Sequence, residues 1–172
     1  MARVAYVEQD QAADSLKPIY EGITRKTGHV TNFLKVLARS PELFHGFLAI
    51  NGSLGKFSLD RKLRELAYLY TSELNGCDYC CSHHRQGAAK AGASDRQIEE
   101  ITRFETSDAF DDRTRLVLRY AEQVTRTGRV DSGLADQIKA VLNDRELVEL
   151  TAAIALANFT NRINTALEVE LP

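Results

Sequence analysis

A chain of 172 residues that is 44% hydrophobic and 27% charged, with 3 prolines, has the composition of an ordinary soluble globular protein. Its 22 basic and 24 acidic side chains leave a net charge of −2, which excludes a global electrostatic pull toward nucleic acid or acidic lipid. A chain of this length favours one domain and buries roughly 70% of its unfolded surface, so it folds without help from a metal or a disulfide.

In chain order, the pattern predicts helix after helix and no strand. A first helix is expected over residues 10–27, closed by Gly28, with Pro18 marking either a late start or a kink. Residues 31–40 read as a short second helix, and Pro41 suits the first turn of a third that runs to about Leu54. Asp60 is placed as the N-cap of a longer helix through Leu74, with Leu63, Leu66, Ala67, Tyr70 and Leu74 on one face. Gly76 interrupts it; a new helix begins close to Cys77 and ends at Gly92. Ser94 followed by Gln97 is a capping-box pattern. Amphipathic runs at about 111–127, 131–142 and 144–168 complete an all-α chain of eight to nine helices, expected to form a single domain over residues 1–172.

The first residues carry no long apolar run of the kind a signal peptide needs, and the nearly uncharged stretch 150–161 is too short and polar to span a bilayer. A cytoplasmic location is the expectation, where a close cysteine pair is more often catalytic or metal-binding than structural. The heptapeptide from Asp60 to Leu66 (DRKLREL) shares five of its seven positions with that from Asp144 to Leu150 (DRELVEL), but the second copy lacks a cysteine pair.

All three cysteines and two of the four histidines fall in one stretch, Asn75 to Arg85 (NGCDYCCSHHR). Cys77 and Cys80 form a CxxC pair on the first turn of a helix and share a face. The helix dipole and the unpaired first-turn N–H groups favour a thiolate there. His84 lies one turn beyond Cys80, where an imidazole can carry the thiol proton, and His83 is the geometric alternative. A zinc site is disfavoured because a closed site wants four ligands and no second CxxC or HxxxH exists. A thioredoxin-like fold is disfavoured for want of a βαβ pattern. For a carboxylate behind the histidine, periodicity slightly prefers Glu73, nearer the apolar face, over Glu65. On the last helix Asn158, Asn161 and Asn164 recur every three residues, with Arg162 among them. Buried amides need partners, and a subunit interface is favoured over an intrachain contact.

Glu65, Cys77, Cys80 and His84 reproduce an E-x11-C-x2-C-x3-H spacing, with Ser72 and Asn75-Gly76 between. This pattern resembles the AhpD-like alkylhydroperoxidases of the wider carboxymuconolactone decarboxylase family, most strongly over residues 60–92. The resemblance implies an AhpD-like helical domain with the CxxC at the N-terminus of a central helix, packed against the Glu-bearing helix. It implies Cys80 as the peroxidatic thiol, Cys77 as the resolving one, and Glu65 drawing the proton from Cys80 through His84. It also implies a small-molecule hydroperoxide substrate, an external dithiol reductant of protein or lipoyl type, no cofactor, no metal, and a homo-oligomer, trimer or hexamer. Two positions depart from the family pattern: Tyr79 stands where a histidine lies between the cysteines, and Cys81 is an extra thiol. The alternatives are the family's decarboxylase or lactone chemistry, which needs no dithiol, and a non-catalytic redox-sensing or oligomeric binding protein.

Overall fold

The computed structural model describes residues 2–171, and among these the regular elements are all helical. Nine α-helices follow in order among the described residues: α1 Lys17–Thr27, α2 Asn32–Leu37, α3 Pro41–Ser53, α4 Arg61–Leu74, α5 Asp78–Lys90, α6 Asp95–Glu99, α7 Asp112–Thr127, α8 Ser132–Val141 and α9 Asp144–Ala166. The first helix starts seven residues later than the hydrophobic pattern suggests. Pro18 sets this limit: it has no N–H and clashes with a preceding turn, so it is accommodated only in the opening turn of α1.

The helices fall into two compact units. One takes in the chain up to Gly55 together with the segment from Ile163 onward. Its core is aromatic: Tyr20 stacks on Phe44 with ring centres 5.9 Å apart, and Phe33 meets Phe47 edge-on at 4.9 Å. The Tyr20 hydroxyl donates to the Val7 carbonyl at 2.9 Å, so this buried phenol is satisfied.

The other unit runs from Lys56 to Arg162 and contains the cysteine stretch. Asp60 caps α4 by accepting the Leu63 N–H at 2.9 Å. The helix packs most extensively on α5 and α7. Leu63, Leu66, Leu69, Phe104, Val117, Leu118, Ile138, Leu150 and Ile154 join in one apolar core. Periodicity alone shows one buried face of α4, yet every residue from Leu66 to Ser72 is buried. The helix is enclosed, so its polar members Thr71 and Ser72 have to be hydrogen-bonded within the protein.

Candidate active site

The turn between α4 and α5 presents the cysteines. Gly76 sits at φ +61°, a left-handed conformation that favours glycine, and lets the Cys77 N–H return to the Ser72 carbonyl at 3.0 Å. Cys77 is then the N-cap of α5, its sulfur accepting the Cys80 N–H at 3.3 Å. Cys77 and Cys80 are paired as a disulfide with Cα atoms 5.3 Å apart, inside the usual range of roughly 4.4–6.8 Å. Both are almost wholly buried, at 2% and 3% exposure.

Cys81 belongs to different surroundings. It is a free thiol packed into the apolar core, and burial, with Glu73 beside it, pushes its pKa up to about 12. It stays protonated at neutral pH and is a poor nucleophile. Glu73 itself is ion-paired with Arg85, so the carboxylate that periodicity slightly preferred serves another contact.

Glu65 reaches the cysteine helix from α4. Its Oε2 accepts a hydrogen bond from His84 Nδ1 at 2.9 Å, and its Oε1 accepts from Arg64 at 3.1 Å. Burial alone raises a carboxyl pKa, but the His84 hydrogen bond and charge, with those of Arg64, outweigh it and pull Glu65 down to about 2. An ionised Glu65 keeps a proton on His84 Nδ1, so Nε2 is the ring nitrogen left to exchange one. The Tyr68 ring stacks on the imidazole, with centres 3.6 Å apart and planes at 18°. Its hydroxyl is tied to that of Thr160 at 2.7 Å, and burial holds the phenol well above its usual range, so it remains a neutral wall. His83 is exposed and meets the His84 ring edge-on at 5.2 Å. Among the described residues, no group of three or more His, Cys, Asp or Glu side chains is arranged to hold a metal ion.

The asparagines of α9 brace the turn from behind. Asn75 donates to Asn161 Oδ1 at 2.8 Å and to Asn158 Oδ1 at 3.1 Å, while Asn161 donates to the Ser72 hydroxyl at 3.1 Å. Asn158 also receives Arg162 at 2.6 Å and donates to the Ile154 carbonyl at 3.0 Å. For Asn158 and Asn161 the expected subunit interface is therefore corrected: their amides close an intrachain network. Burial demands this: Asn161 is fully buried, and the Ser72 hydroxyl, which donates to the Tyr68 carbonyl at 2.9 Å, accepts from its amide. Asn161→Ala removes two of these bonds at a fully buried site. We expect a loss of about 2 kcal/mol and a fall in Tm of about 4–8 °C. A thermal melt within about 0.5 kcal/mol of wild type would show that the amides do not brace the turn.

Residues 41–123 match the model of the carboxymuconolactone decarboxylase family. Over that stretch the chain belongs to that family. An uncharacterized protein of Mycobacterium tuberculosis, Rv2313c, is 31% identical over 134 residues, covering 77% of this chain and 46% of the relative. The chain thus spans about half the length of that relative. Among solved structures, an uncharacterized peroxidase-related protein from Ralstonia eutropha JMP134, described as an alkylhydroperoxidase AhpD core, superimposes with a TM-score of 0.89. It shares 20% identity and covers 99% of this chain and 92% of its own. The debrominase Bmp8, in a cysteine-to-alanine form bound to 2,3,4-tribromopyrrole, gives a TM-score of 0.84 at 22% identity over 98% of this chain and 91% of its own. These likenesses establish the AhpD-like fold.

Two site neighbours escape the motif. Tyr68 lies three residues after Glu65 and Gly87 three after His84, so each shares a helix face with a motif residue. That spacing is the only sequence signal either one gives.

Proposed function

We propose that this family member is a thiol-dependent peroxidase of the alkylhydroperoxidase type, reducing organic hydroperoxides or hydrogen peroxide through Cys77 and Cys80. One observation carries the reading: a CxxC pair opens α5, and one turn beyond it His84 is hydrogen-bonded to an ionised, part-buried Glu65. In the reduced protein, His84 takes the Cys80 proton and passes positive charge toward Glu65. The Cys80 thiolate attacks the terminal peroxide oxygen, the O–O bond breaks, and the departing oxygen takes the proton back from His84 to leave as alcohol or water, while Cys80 becomes a sulfenic acid. The Cys77 thiol then attacks the Cys80 sulfur, releasing water and closing the disulfide. An external dithiol returns two electrons and two protons.

The reading includes an assembly of identical chains working in the cytoplasm. Among the described residues no helix is long and apolar enough to cross a membrane. The decisive measurement is peroxide consumption by the reduced protein with dithiol reductants present. We expect two thiols lost per peroxide in a single turnover, and sustained turnover once a dithiol is supplied. Absence of peroxide loss with every dithiol tried, alongside turnover of a lactone by protein lacking both cysteines, would overturn the proposal in favour of the decarboxylase-type chemistry.

A further inference from the structure

We infer that Gly87 is a positioning residue, its missing side chain being the space that the Glu65 carboxylate occupies in order to reach His84. The inference rests on the peroxidase reading only in that the Glu65–His84 pair is put to chemical use there.

Gly87 lies inside α5, where glycine is disfavoured against alanine, and its neighbours Ala88 and Ala89 show that this helix accepts alanine readily. No left-handed backbone explains the glycine, since its φ lies outside that region. What explains it is crowding from α4. A Cβ at Gly87 would stand 2.6 Å from Glu65 Oε2, closer than real Cβ contacts come, and 3.2 Å from its carboxyl carbon, which is also tight. Those atoms end a flexible side chain, so an added methyl pushes the carboxylate aside and leaves the helix intact. Yet Oε2 is the atom that accepts from His84 Nδ1 at 2.9 Å. The penalty therefore falls on the pair and not on the fold. With Arg64 on Oε1 and the Tyr68 ring over the imidazole, the bare Cα of Gly87 completes the enclosure of the pair.

The test compares wild type, Gly87→Ala, Glu65→Ala and the double variant in the full chain, with Arg64 and His83 untouched in all. The first readout is the hydrogen-bonded Nδ1–H resonance of His84 in proton–nitrogen NMR. The second is the rate of Cys80 alkylation by iodoacetamide at pH 7 in a Cys77→Ser background. We expect Gly87→Ala to lose the resonance as Glu65→Ala does, to slow alkylation roughly tenfold, and to lower Tm only where Glu65 is present. Adding Gly87→Ala to Glu65→Ala should change nothing further, because the displaced atom is already gone. A retained resonance in Gly87→Ala overturns the inference, and so does a fall in Tm of equal size with and without Glu65. Loss of the resonance with alkylation unchanged keeps the role of Gly87 and removes the relay from the peroxidase reading. Neither readout needs peroxide, so a failure to consume peroxide would fall on that reading alone.

Discussion

Cys80→Ser should reduce peroxide turnover by at least about 10³-fold, because a serine hydroxyl does not ionise near neutral pH as a thiol can. Cys77→Ser should behave differently. It keeps the attacking thiolate and loses only the resolving partner, so one peroxide should be consumed per chain and a sulfenic acid should then accumulate. Trapping that acid with dimedone and locating it by mass spectrometry separates the two roles. Adduct at Cys77 in the Cys80→Ser protein, with turnover retained, would reverse the assignment. Cys81 should carry no adduct in either variant, since its buried thiol with a pKa of about 12 stays protonated.

Glu65→Gln preserves shape and removes charge, and the rate should fall on the order of 10²-fold, the low end of what a positioned proton acceptor contributes. Its effect on stability has a definite sign. The folded pKa of about 2 lies below the ordinary 4.5, so the stabilisation is complete above pH 4.5 and is lost as pH falls toward 2. Wild type should therefore lose stability steadily between those pH values, and Glu65→Gln should show a shallower slope in urea melts across the same window. Unchanged activity in this variant would dismiss the relay while leaving the cysteine chemistry standing.

Much of this site can be read along the chain, because its key contacts are local or bridge two consecutive helices. Capping at Asp60 and Ser94 and the breaks at Gly28 and Gly76 follow from the chemistry of single residues, and the structure places them as read. The E-x11-C-x2-C-x3-H spacing names four residues whose positions on α4 and α5 depend on one turn. Other features depend on which helices enclose which. Periodicity assigns one buried face to α4, whereas the core surrounds the stretch from Leu66 to Ser72. Periodicity likewise ranks Glu73 by its face alone, whereas partners decide the contacts: Glu73 meets Arg85 and Glu65 meets His84. Neither Tyr68 nor Gly87 carries a reactive group, so only the approach of α5 to α4 marks them out. The asparagines of α9 advertise buried polarity correctly, but choosing a partner across 83 to 89 residues of sequence requires the fold.

That last contact bears on how the chain can be divided. The family match stops at residue 123, and Glu65, both paired cysteines and His84 all lie inside it. Asn158 and Asn161 lie outside it, and they are what grip Ser72 and Asn75 at the bend that delivers Cys77. A fragment trimmed to the matched stretch would carry every reactive group and lose the clasp that aims them. The motif is thus no transplantable cassette; its geometry is on loan from the far end of the same polypeptide.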